Sequence, residues 1–226
     1  MGALDFIIRS KQDMADAVRR LGILPLFANS LPRFSVEELV DPAVWFGDVD
    51  GPWEWKGPVI RETGCAYGKF FENKAAFVSR EWFCDFANYR RDGYDFDARF
   101  DEGLASWREN ELYTLVAANG PMLSRGLKQL GGYSGKDGKK GFDSLIARLQ
   151  ARGYVVISDF VYGTTRDGAR YGWGVAEYDL PERALGDVFT THVYDREPEE
   201  SFERLAAHLQ GLLPWADAAA IRKFIQ

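Results

Sequence analysis

From Leu112 to Tyr178 the chain passes through three apolar stripes at helical spacing and then two β-rich runs joined by a turn dipeptide, an order that few folds accommodate. Leu112, Leu115 and Val116 mark a first helix that stops at Gly120-Pro121, and Leu123, Leu127 and Leu130 mark a second that stops at Gly131-Gly132. Phe142, Leu145, Ile146 and Leu149 mark a third, ended by Gly153. Tyr154 to Tyr162 and Tyr171 to Tyr178 then read as strands flanking the hairpin dipeptide Asp167-Gly168. Helix, helix, helix, strand, wing, strand is the order of a winged helix-turn-helix. Its linker from Gly131 to Gly141 exceeds the roughly 3–4 residues of a simple helix-turn-helix, and with five glycines and three lysines it is expected to be flexible.

The N-terminal part carries a looser version of the same order. Ser10 caps a helix with Asp13 three residues on, Ser35 and Glu38 form a capping box for a short helix over Val36 to Val40, and Pro52 opens a helix from Trp53 to Glu62 that Gly57-Pro58 could split. Cys65 to Phe71 and Ala75 to Ser79 predict a hairpin across Glu72, Asn73 and Lys74, followed by a helix from Arg80 to Arg90. Residues 91 to 103, with aspartates at 92, 95, 97 and 101, read as a connector. Beyond Pro181 an acidic, loop-rich stretch leads to a helix lined by Phe202, Leu205, Ala206, Leu209 and Leu212, and Trp215 to Phe224 closes the chain as a short helix. The expected fold is therefore α+β, with tandem winged helix-turn-helix units and a C-terminal helical region. Residues 1–103 are the aromatic-rich first unit, 104–180 the second, and 181–226 an acidic connector with closing helices.

Charge separates the function classes. A net charge of −6 argues against a protein that coats nucleic acid through its overall charge. From Ser124 to Arg152, however, seven bases stand against two acids, whereas Glu177 to Arg204 holds nine acids and three bases. The bases fall where winged-helix proteins meet phosphates: Lys128, Lys136, Lys139, Lys140, Arg148 and Arg152 in and around the third helix, and Arg166 and Arg170 on the wing. The predicted partner is duplex DNA. The alternative is a regulatory or scaffold protein whose winged-helix units bind a protein partner or a second copy of the chain.

Other chemistries find little support. Cys65 and Cys84 lack paired zinc-site spacing and read as small buried thiols. Gly135-Lys136 misses the phosphate-loop spacing and is followed by Asp137 where Ser or Thr is required, and Tyr133-Ser134-Gly135-Lys136 misses the nucleophile elbow. His192 and His208 have no matching triad or metal motif, so neither a metal nor a cofactor is expected. Asp95 and Asp97 could stabilise a cationic sugar in glycosidic cleavage, or could simply cap helices and pair with Arg90, Arg91 and Arg99. Trp53, Trp55 and Trp173 could stack on an unpaired base or serve as core. No apolar run approaches the roughly 18 residues that span a bilayer. With no leader pattern at Met1 to Arg20, the expected location is the cytoplasm, with no membrane partner.

Four stretches carry a family likeness: Gly22-Ile-Leu-Pro-Leu-Phe-Ala-Asn, Pro52-Trp-Glu-Trp-Lys, Ala66-Tyr-Gly-Lys-Phe-Phe, and Phe86-Ala-Asn-Tyr-Arg-Arg-Asp-Gly-Tyr-Asp-Phe-Asp-Ala-Arg. With Tyr171-Gly-Trp-Gly-Val-Ala, they resemble bacterial proteins related to the AlkZ DNA glycosylases. The resemblance implies tandem winged-helix units and, in true AlkZ enzymes, excision of alkylated or crosslinked bases. The Gln-x-Gln or Gln-x-Asp motif of those enzymes is absent, because none of Gln12, Gln129, Gln150, Gln210 or Gln226 has Gln or Asp two positions on. The resemblance therefore assigns no catalytic residue here.

Overall fold

The computed structural model describes residues 2–45, 50–167 and 170–226, and only the backbone of Thr164 and of residues 170–173. It opens with α1 (Lys11–Leu21), whose start is fixed as expected: Ser10 Oγ accepts from Asp13 N at 3.2 Å. After β1 (Ile23–Pro25), α2 (Val36–Leu39) and α3 (Pro42–Trp45) comes α4 (Pro52–Thr63), which runs unbroken through Gly57-Pro58. At α2 the expected capping box is half formed: Glu38 N donates to Ser35 Oγ at 3.2 Å, while the Glu38 carboxylate accepts from the Ser35 hydroxyl at 2.6 Å and from Arg33 N at 2.8 Å in place of the Ser35 backbone. β2 (Ala66–Phe71) and β3 (Lys74–Val78) form the predicted hairpin, but the turn is only Glu72-Asn73, both at positive φ, and Lys74 joins the strand.

α5 (Arg80–Arg91) leads into the segment expected to be a plain connector. It instead contains α6 (Phe96–Asp101), started by Asp95, whose Oδ1 accepts from Ala98 N at 2.8 Å. α7 (Trp107–Asn119), β4 (Met122–Leu123), α8 (Ser124–Leu130), α9 (Phe142–Ala151), β5 (Val156–Thr164) and β6 (Arg170–Asp179) follow. The hairpin dipeptide Asp167-Gly168 runs into the residues outside the described ones. The acidic stretch beyond it is less loop-rich than expected, since it forms α10 (Pro181–Ala184) and α11 (Asp187–His192) before α12 (Pro198–Leu212) and α13 (Ala218–Ile225).

The molecule is thus a mixed α/β protein with two small antiparallel sheets, ordered β1-β3-β2 and β4-β6-β5. In both, the strand that comes last in the chain lies between the other two. The short first strands, one ending in Pro25 and the other following Pro121, have too few residues to show a period in the sequence.

The two halves pack reciprocally, α4 against β5 and α9 against β2. At the first contact Gly57 lets the chains approach: a methyl group there would stand 2.9 Å from Asp159 Oδ1 and 3.3 Å from the Phe160 carbonyl. At the second, the buried Gln150 accepts from Lys69 N at 3.0 Å. The C-terminal helices close back over the first half. Phe224 of α13 stacks on Phe71 at 4.6 Å, and α12 lies along α5 through a buried polar set in which Ser201 Oγ donates to Asp85 Oδ1 at 3.0 Å and accepts from Asn88 Nδ2 at 2.9 Å. Arg91, only 3% exposed, ties α5 to the Gly153 carbonyl and to Glu182 (2.8 and 3.0 Å). Cys65 and Cys84 are buried free thiols, as expected, and burial pushes both upward, Cys65 to about 12 and Cys84 to about 11. Among the described residues no helix is long and apolar enough to cross a membrane.

Candidate nucleic-acid interface

The loop between α8 and α9 is the most basic part of the second half, and it carries backbone hydrogen bonds of its own. Tyr133 N donates to Lys128 O at 2.7 Å, Lys139 N donates to Gly132 O at 2.8 Å, and the buried Tyr133 ring packs on Phe142 with centroids 5.4 Å apart. The Lys139 ammonium and the Arg108 guanidinium each lie 5.7 Å from the Tyr133 ring, and Arg108 donates to the Lys140 carbonyl.

Six of the eight predicted phosphate-binding bases fall into two groups. Lys128 pairs with Asp143 at 3.1 Å, Lys139 with Glu111 at 2.6 Å, and Arg148 with Glu109 at 3.0 Å. Lys136, Lys140 and Arg166 are exposed and have no acid within 4 Å among the described residues. Burial would raise the Glu109 carboxyl, but hydrogen bonds from the Ser106 hydroxyl and backbone and from Arg148 hold it below the usual carboxylate value. It stays ionised and neutralises Arg148. Arg152, at the C-cap of α9, is half-buried; burial, and then the like charges of Arg99 and Arg148, lower its pKa. Arg170 belongs to β6, but its side chain lies outside the described residues.

The third helix is not free in the way expected of a helix that enters the major groove. Ala147 and Gln150 are buried, and within α9 the exposed positions are Asp143, Ser144 and Arg148. That face overlooks an open cavity of about 510 Å³, bounded across from α9 by Lys69 and Asn73 of the β2–β3 hairpin. A groove about 12 Å wide admits a helix with a clear outer face, and here the hairpin stands beside it.

The remaining candidates separate cleanly. Asp95 is occupied as the cap of α6, and Asp97 is exposed one turn before Asp101. No Asp of this segment pairs with Arg90, Arg91 or Arg99 among the described residues; Arg90 donates to the carbonyls of Phe70 and Gln226, and Arg91 to those partners already given. Trp55 is 8% exposed in the core and has no free face to offer a base. Trp53 is half-buried in an aromatic group with Phe27 and Trp45, centroids 5.7 and 5.5 Å away. Trp173 lies in β6 with its side chain outside the described residues. Among the described residues, no group of three or more His, Cys, Asp or Glu side chains converges to hold a metal.

Sequence reasoning missed Arg108 and Trp107. Arg108 carries a signal in hindsight, because Ser106 and Glu109 form a capping box that fixes the helix start and so the directions of Trp107 and Arg108. Arg99, expected to pair with the aspartates, is 7% exposed, and its Nε has no hydrogen-bond partner among the described residues.

A model of the family described as AlkZ related matches residues 8–226. No curated protein and no solved structure matches the chain.

Proposed function

The chain belongs to the AlkZ-related family, and on that footing we propose that it binds duplex DNA as a repair-type protein. Two winged-helix units, residues 1–103 and 104–180, are braced by residues 181–226. The order α7, β4, α8, α9, β5, β6, with β6 in the middle of its sheet, supports this reading for the second unit, and the order β1-β3-β2 supports it for the first.

The observation that carries the proposal is that Lys136, Lys140 and Arg166, on one unit of an otherwise acidic chain, are exposed and have no acid partner among the described residues. They engage phosphates along the loop and wing, with Lys128, Lys139 and Arg148 as further backbone contacts once their acids are outcompeted, and with Arg152 and Arg170 beside them. Because α9 is flanked by the β2–β3 hairpin, contact is to the backbone more than to base edges. Base excision is a separate step, for which the cap role of Asp95 leaves Asp97 as the freer carboxylate of the pair.

The test is fluorescence anisotropy of a labelled intact duplex and of a duplex carrying an abasic-site analogue, each titrated at two salt concentrations. Salt-sensitive binding is expected. Absence of binding even at low salt would remove DNA from the account and favour protein association.

A further inference from the structure

The most exposed large apolar side chain among the described residues is Trp107, at 71%, and Leu104, three residues earlier in the chain, is 48% exposed. An indole can bury roughly 150–250 Å² of surface, so leaving one in water forgoes a large contact. Single exposed apolar residues are ordinary, but this one is held in place. Trp107 is the first residue of α7, directly after the Ser106 cap, and Phe100 of α6 supports one side of it with ring centroids 6.1 Å apart. A ring fixed at a helix start, backed by a second ring, is a preorganised platform.

Its surroundings identify the occupant. Arg108, the next residue, donates to the Lys140 carbonyl, and Glu111, one turn on along the same face, holds Lys139 at 2.6 Å. The platform therefore adjoins the basic loop that carries Lys136 and Lys140. A protein partner would meet the same cations, but a polyanion with flat aromatic faces satisfies both the charge and the ring. Bases inside a continuous duplex are stacked on each other, so only an unpaired base can reach the platform.

We propose that Trp107 is a stacking surface for an unpaired base and gives the protein a preference for interrupted over continuous duplex. This rests on the DNA-binding reading above. Base stacking on an aromatic side chain contributes about 1–3 kcal/mol, equivalent to a roughly 5- to 150-fold affinity difference.

The experiment compares wild type, Trp107→Ala and Trp107→Phe by anisotropy on three probes: intact duplex, the same duplex with an abasic-site analogue opposite a normal base, and a single strand. Wild type is expected to favour the interrupted duplex and the single strand; W107A should lose at least about fivefold of that preference while keeping its affinity for intact duplex, and W107F should keep most of it. Equal wild-type binding to all three probes, retained preference in W107A, or an equal loss on every probe would each overturn the stacking role while leaving DNA binding in place. No wild-type binding to any probe would overturn the DNA-binding reading itself. Because Trp107 is exposed, circular dichroism of W107A should match wild type, and a mismatch would transfer the test to W107F, whose loss of preference without a loss of fold would then contradict stacking.

Discussion

The side-chain oxygen of Gln150 accepts a hydrogen bond from the backbone nitrogen of Lys69, 81 residues away, and so fastens α9 of one half to β2 of the other. Gln150 is 1% exposed, and its amide nitrogen is returned to the Ile146 carbonyl at 3.2 Å. Replacing it by leucine keeps the volume and removes both bonds. Q150L should lower stability by about 1–3 kcal/mol, the cost of a donor left without its acceptor, seen as a lower urea midpoint at unchanged slope.

Arg91 is a second fastening. Its guanidinium is shared between the Gly153 carbonyl, Glu182 and the Tyr194 hydroxyl, and lies 4.7 Å from the Tyr154 ring. Removing one partner of a buried ion pair typically costs about 3–5 kcal/mol; because Glu182 is partly solvated, R91M should fall near the lower end of that range. R91K should be intermediate, since an ammonium keeps the charge but loses the planar fork. Chemical denaturation of both variants checks the order.

For DNA the acids are as informative as the bases. Glu111→Gln releases Lys139 and should raise affinity, whereas Lys136→Glu with Lys140→Glu should lower it about evenly across sequences. For every phosphate that a variant newly neutralises or no longer neutralises, the slope of log affinity against log salt should change by about 0.9. Unchanged affinity in both variants would contradict the assignment of this loop to phosphate.

His208 supplies a pH dependence. Its ring stacks on Trp82 with centroids 3.9 Å apart, and Nε2 lies 2.8 Å from the Leu21 carbonyl, which it serves as donor in the neutral ring. Burial lowers its pKa below the ordinary 6.5. Between the folded value and 6.5 the unfolded chain holds more protons, so stability rises with pH across that window and is lost on acidification through it. Urea midpoints between about pH 5 and 7 should slope less in H208Q than in wild type.

Much of the architecture was legible because it is written in local chemistry. Ser10, Ser35 and their acids announce helix starts, and the stripe from Phe142 to Leu149 announces α9. What escaped notice depends on partners distant in sequence or on very short elements. β1 and β4 are too short to show a period, and α6 hides in an aspartate-rich stretch where Asp95 is a cap.

The site divides along the same line. The bases of residues 128 to 152 are plain in the sequence, but the acids that neutralise three of them are not: Glu109 and Arg148 stand 39 positions apart and meet only because α7 packs on α9. The reciprocal contacts left faint signs. Gly57 in mid-helix suggests a break but serves a close approach, and Gln150 looks like a polar residue at the edge of an apolar stripe.

The crossed packing of α4 on β5 and α9 on β2 bears on what such a protein can discriminate. Helices whose sides are spent on holding the molecule together have little left with which to spell out a base sequence. Selectivity then falls to the mechanics of the ligand: how readily a given stretch of duplex bends, opens or gives up a base at a fixed surface. On the DNA-binding reading proposed above, a protein built this way senses weak points in DNA more than the letters around them.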